Sequence, residues 1–241
     1  MDVALLQGRR LSKRFGGVQA LEDVDFDVQA GTIVGLIGPN GAGKTTLFNI
    51  VAGTFPPSSG LVLFGGQTIT GMPAFRICRQ GIARTFQVAR PFGEMTCLEN
   101  VAVAAVNRHP GCPKEQWMTL ARESLAAVGL EALTDTAAKH LNVVQKKRLE
   151  IARSLATEPT LLMLDEVLGG LNTQEIQEAI GFIRRLRDDR GLTVFWIEHV
   201  MGAIMQATEK VIVLDQGRIL TVGPPREVVA DERVIHAYLG D

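Results

Sequence analysis

"GTIVGLIGPNGAGKTTLFNIVA" (residues 31–52) decides the fold. Its first part is a continuous apolar run, the pattern of a strand buried on both faces. Its last part predicts a helix from about Lys44 to Ala52. Between them, "GPNGAGKTT" (38–46) fits G-x-x-x-x-G-K-[ST] in the strand–turn–helix setting the motif needs. Gly38, Gly41 and Gly43 let the backbone turn its N–H groups inward around a phosphate. Pro39, Asn40 and Ala42 complete the loop, and Thr46 lies in the first turn of a helix whose N-terminus adds positive potential. Lys44 is placed to reach β- and γ-phosphates, and the Thr45 hydroxyl to ligate Mg²⁺.

Downstream, "LLMLDE" (161–166) is a short buried strand ending in two carboxylates. Open α/β sheets bind ligands at the C-terminal ends of their strands. Asp165 suits a Mg²⁺ shell there, and Glu166 is placed to orient or deprotonate a water attacking the γ-phosphate. A third apolar run, "LTVFWIEH" (192–199), ends in His199. A lone histidine at a strand end is most often structural, but one strand after an Asp-Glu pair it suits a γ-phosphate sensor that holds Glu166 and the water in register. The amphipathic stretches "TQEIQEAIGFIRRLRDDRG" and "VMGAIMQAT" alternate with these runs and with "KVIVLDQGRIL". That alternation predicts an α/β fold with a mostly parallel sheet and helices on both faces.

Upstream, "VALLQGRRLSKRF" and "ALEDVDFDV" alternate apolar and polar residues around Gly16 and Gly17, and "GLVLFGGQTI" reads as another hairpin. From about Ala74 to Pro159 the character is helical, with "CLENVAVAAVNRH" and "QWMTLARESLAAVGL" separated by "PGCP". The next helix begins in "HLNVVQKKRLEIARSLATEP" (140–159), where Asn142 is a good N-cap and Gln145 completes a capping box. Leu149, Ala152, Leu155 and Ala156 share its apolar face. Lys146, Lys147 and Arg148 form a tight basic cluster, expected on the solvated side.

The chain has 241 residues, 46% hydrophobic and 21% charged, enough for a sizeable core. A net charge of -1 gives no electrostatic reason to expect a nucleic-acid partner. Cys78, Cys97 and Cys112 show no metal-like spacing and fit a reducing compartment. "MDVALLQGRR" is too short and polar for a signal peptide. No apolar run approaches the roughly 20 residues of a membrane span, so any work at a membrane goes through a partner.

Taken in order, these motifs resemble the nucleotide-binding subunit of an ABC transporter over essentially the whole chain. The resemblance implies a single domain, 1–241: a P-loop NTPase core with a mostly parallel sheet, an N-terminal antiparallel β subdomain and a helical subdomain inserted at about 88–158. It implies ATP and Mg²⁺ as ligands. Phe15 resembles the aromatic that stacks on adenine, a core phenylalanine being the alternative. Gln87 in "ARTFQVARPF" resembles the glutamine that touches Mg²⁺ and couples it to the helical subdomain. "LGGLN", ending at Asn172, resembles the loop that crosses the dimer interface, where the family more often has Asp.

"FGGVQAL", "GIARTFQ", "LENVAVA" and the tail "DERVIHAYLGD" are similar to the ATPase subunits of branched-chain amino-acid importers. The stretch between Arg108 and Lys114 is shorter than in many of them. Importers of urea, amides and aromatic acids share these features, so the solute stays open. In the family the signature tip reads Leu-Ser-Gly-Gly-Gln and meets the γ-phosphate held on the opposite subunit. Here it reads Leu141, Asn142, Val143, Val144, Gln145. The resemblance implies an ATP-hydrolysing subunit, peripheral on the cytoplasmic face of the inner membrane. Its partners would be two membrane-spanning permease subunits, a second ABC ATPase subunit and, indirectly, a solute-binding protein. The valines point to an unlike ATPase partner. One rival is a weakly hydrolysing regulatory subunit, against which Glu166 and His199 argue. Another is a non-transport ABC ATPase acting on nucleic acid, which predicts a basic face or a second cassette.

Overall fold

The computed structural model describes residues 4–88, 90–108 and 110–239. Val3, His109, Gly240 and Asp241, which end stretches read above as strand, helix and tail, lie outside the described residues, as does Ala89 in the stretch after Gln87. The chain divides into two compact units: one runs to Ile77 and resumes at Met163, and the other is Cys78–Leu162.

The first unit opens with a hairpin, β1 (Leu6–Phe15) and β2 (Val18–Val28), turning through Gly16 and Gly17 as expected. With β4 (Ser59–Phe64) and β5 (Gln67–Thr68) they form an antiparallel sheet in the order β2-β1-β4-β5. β3 (Ile33–Ile37), β7 (Leu161–Asp165) and β8 (Thr193–Ile197) are buried along their whole length, which explains their unbroken apolar sequences. They lie in the mixed, mostly parallel sheet with β9 (Lys210–Asp215) and β10 (Arg218–Gly223), in the order β10-β9-β3-β8-β7. β3 runs parallel to both β8 and β9. The helices are α1 (Lys44–Val51), α6 (Thr173–Arg190), α7 (Met201–Ala207), α8 (Pro225–Ala230) and α9 (Glu232–Leu239). Phe195 of β8 stacks on Phe26 of β2 at 5.7 Å and tilts against Phe48 of α1 at 4.9 Å. Such pairs add about 0.5–1.5 kcal/mol beyond buried area and fasten the helix after the phosphate loop to both sheets of this unit.

"KVIVLDQGRIL" is a correction. It is an antiparallel hairpin, in which Asp215 pairs with Arg218 around Gln216 (φ +44) and Gly217 (φ +78). Two residues at positive φ give the turn whose twist matches a hairpin, and glutamine is an unusual occupant of it.

α2 (Ala74–Gln80) ends just inside the second unit, which holds β6 (Ile82–Arg84) and the packed helices α3 (Cys97–Arg108), α4 (Lys114–Ala127) and α5 (Val143–Leu155). β6 lies in a stretch read as helical; three residues are too few for a period-2 signal to register. The capping box of α5 is present: Asn142 Oδ1 accepts from Gln145 N–H at 2.8 Å, and Gln145 Oε1 accepts from Asn142 N–H at 3.0 Å. Leu149, Ala152, Leu155 and Ala156 are buried. Lys146, Lys147 and Arg148 are half-buried rather than fully solvated.

Candidate nucleotide-binding site

In the first unit, residues 38–43 bridge β3 and α1. Gly38 (φ +148) is pressed so closely on β9 that an added Cβ would lie 1.9 Å from the Leu214 carbonyl oxygen. At Gly43 (φ +103) it would lie 2.6 Å from the Ala20 carbonyl oxygen. Both positions therefore require glycine. The loop is fixed from outside, since the Gly217 N–H donates to the Ala42 carbonyl at 3.0 Å. Lys44 is buried, and its Nζ donates to the carbonyls of Gly38 (2.6 Å) and Pro39 (2.9 Å). Burial pushes its ammonium below the ordinary lysine range, while the charges of Glu166 and Asp165 pull it back up. Thr45 is exposed in the first turn of α1, and Thr46 is half-buried beside it.

β3 and β8 are neighbours and β7 lies next to β8, so the phosphate loop, His199 and the Asp165–Glu166 pair follow adjacent strands. Asp165 is 2% exposed. Glu166 holds a left-handed backbone (φ +51), and its N–H donates to the Ile197 carbonyl at 2.9 Å, tying the ends of β7 and β8 together. A non-glycine residue there carries strain, which recurs at functional positions. The Glu166 carboxylate meets the His199 Nε2 in a hydrogen-bonded pair. The histidine and acid expected to work together are thus in contact.

Phe15 stands 46% exposed at the end of β1, edge-on to Phe55 at 5.2 Å, with Lys13 Nζ 5.0 Å from its ring centre. The core alternative for Phe15 does not hold. Asn172 caps α6: its Oδ1 accepts from the Glu175 N–H at 3.0 Å, and the Glu175 carboxylate accepts from the Asn172 N–H at 2.7 Å. Asn serves as a cap as well as Asp does, so the departure at that position keeps the helix start intact.

In the second unit, Gln87 lies in a segment anchored on both sides. The Glu150 carboxylate of α5 accepts from the Phe86 N–H at 2.7 Å, and Arg153 of α5 lies 5.1 Å over the Phe92 ring. Buried Asn100 accepts from the Phe92 N–H at 2.8 Å and donates back to the Phe92 carbonyl at 3.0 Å. The helix carrying Asn142, Val143, Val144 and Gln145 at its tip thus holds the segment carrying Gln87.

One residue of the site escaped the sequence reading. Glu198, 2% exposed, accepts from the N–H groups of Leu168 (2.8 Å) and His199 (3.1 Å). Burial pushes its carboxyl up, backbone donors at Leu168, His199 and Val200 draw it down, and the charge of Glu166 adds to the rise. Glu198 joins the loop after Glu166 to the loop of His199. The signal was an acid directly after a five-residue apolar strand.

The family model described as ABC transporter matches residues 21–169, which hold the phosphate loop, the Asp165–Glu166 pair and the α5 tip. The chain belongs to the ABC transporter ATP-binding family. A second model, described as branched-chain amino acid ATP-binding cassette transporter, matches residues 218–241. The high-affinity branched-chain amino acid transport ATP-binding protein BraF of Pseudomonas aeruginosa is 38% identical over 255 residues, covering all of both chains. LivG of Escherichia coli, with the same description, is 38% identical over 254 residues, again covering all of both. A crystal structure of a nucleotide-free ATP-binding cassette from an ABC transporter superposes with a TM-score of 0.90 at 28% identity, covering 99% of this chain and all of that one. The chain is thus an ABC transporter ATPase of the branched-chain amino acid transport type, in which ATP hydrolysis is coupled to transport. Among the described residues no helix is long and apolar enough to cross a membrane.

Proposed function

We propose that this ABC ATPase powers uptake of branched-chain amino acids or a closely related small solute from the cytoplasmic face of the inner membrane, with two permease subunits and, indirectly, a solute-binding protein. The observation that carries the chemistry is the alignment of the Lys44 loop, Asp165, Glu166 and His199 after adjacent strands. Lys44 exchanges its two loop carbonyls for β- and γ-phosphate oxygens when ATP enters, and the loop N–H groups take the rest of the charge. Phe15 offers its exposed face to adenine. Glu166 accepts a proton from the attacking water, and His199 keeps the carboxylate aimed at it.

Mg²⁺ fits the residues present. Exposed Thr45 and buried Asp165 offer hard oxygen donors, and among the described residues no group of three or more His, Cys, Asp or Glu forms a dedicated metal cage. That donor set matches an ion held by one or two protein oxygens plus phosphate. Thr45 and Asp165 would hold it, and bound there it would draw charge off the phosphate oxygens.

The signature tip supports an unlike ATPase partner. Val143 is 61% exposed, so it is not there for packing. A branched side chain keeps a backbone N–H from close approach to phosphate, and one lost donor to a developing charge costs about 10²–10³ in rate. A homodimer would carry this tip at both sites, whereas a partner with Ser-Gly-Gly would restore the site over this chain's own phosphate loop. The test is steady-state turnover of the isolated chain against Asn142→Ser/Val143→Gly/Val144→Gly. Serine keeps the cap, and each Val→Gly change costs a few tenths of a kcal/mol of helix stability. We expect at least a severalfold gain in the triple variant; equal turnover would rule out the asymmetry.

A further inference from the structure

The C-terminal helix reaches the phosphate loop. The Gly38 N–H donates to the Tyr238 hydroxyl at 2.7 Å across 200 positions of sequence. Gly38 is also the residue whose carbonyl receives Lys44 Nζ. Its two flanking peptide groups are therefore both held, the first by the tail and the second by the phosphate-binding lysine. A glycine at φ +148 has the least intrinsic hindrance to rotating those groups, so external bonds must fix them.

The tail is built to present that hydroxyl. Asp231 starts α9, accepting from the Arg233 N–H at 3.0 Å and pairing with its guanidinium at 2.6 Å, which holds the Asp231 carboxyl down at about 2. Val234, one turn before Tyr238 on the same face, is buried and seats the helix. Tyr238 is 38% exposed, and the enclosed part of its ring pushes the phenol above the ordinary tyrosine value.

We propose that Tyr238 is a positioning residue for the phosphate loop: its hydroxyl fixes the Gly38 peptide and keeps the loop in its ATP-competent form. The inference rests on the reading of residues 38–46 as the phosphate site. Docking of the tail then sets nucleotide affinity, because apparent affinity falls with the fraction of loop that is competent. By reciprocity, bound ATP strengthens docking of the tail.

The test is Tyr238→Phe in the full chain, which removes one oxygen and keeps the ring. The dissociation constant for MgATP, measured by calorimetry, should rise about three- to tenfold, the range for one lost hydrogen bond. The KM for ATP should rise in parallel, with kcat within about twofold of wild type. A purely structural clip would lower the thermal midpoint without moving affinity. Wild-type MgATP affinity in Tyr238→Phe, whatever the midpoint, overturns the proposal and leaves the phosphate-site reading intact. Failure of the wild-type chain itself to bind MgATP overturns both.

Discussion

Glu166→Gln will lower kcat for ATP hydrolysis by about 10²–10⁴-fold, the usual contribution of a positioned general base. The substitution keeps size and the capacity to hydrogen-bond His199, so the pairing at the end of β7 survives while basicity is lost. MgATP affinity should stay close to wild type, because no carboxylate charge of Glu166 is asked to hold phosphate. Single-turnover hydrolysis beside equilibrium binding separates the two effects. His199→Ala leaves the base in place and removes only its orientation, so its kcat should fall less than that of Glu166→Gln. Equal turnover in wild type and Glu166→Gln would remove Glu166 from the role of base.

Lys44→Ala will weaken MgATP binding by about a hundredfold, as read by calorimetry. Charge-assisted hydrogen bonds contribute roughly 1.5–3 kcal/mol each, and every 1.4 kcal/mol is tenfold in affinity. The gain is partly offset in wild type, because Lys44 must first release the carbonyls of Gly38 and Pro39. Both carbonyls lose their Lys44 partner in the variant and Gly38 is buried, so the thermal midpoint is read beside affinity to keep a folding loss apart from a binding loss. Wild-type affinity in Lys44→Ala would contradict the phosphate-loop assignment.

The parts of the molecule that could be read from sequence are those whose physics is local. Glycine spacing dictates the 38–46 loop, a capping box is written within four residues at Asn142–Gln145, and the apolar runs of β3, β7 and β8 announce burial on both faces. Glu166 was visible because it directly follows such a run, and His199 because it lies two residues past the end of the next one. What escaped depends on topology. A carboxylate at a strand end reads as solvated, whereas Glu198 is buried and accepts from the Leu168 N–H, a residue 30 positions away. Nothing near Tyr238 in sequence points to Gly38. The Gln216–Gly217 turn lacked the Asn or Asp that marks such hairpins, so β9 and β10 read as one strand.

The most direct test takes the chain in its transporter complex, reconstituted in proteoliposomes with the permease subunits and solute-binding protein proposed for it. Accumulation of labelled leucine, isoleucine and valine is followed with and without MgATP. The account predicts ATP-dependent accumulation by the wild-type complex and its loss when the chain carries Glu166→Gln. Undiminished accumulation with Glu166→Gln, or no ATP-dependent accumulation of any of the three by the wild-type complex, would contradict it.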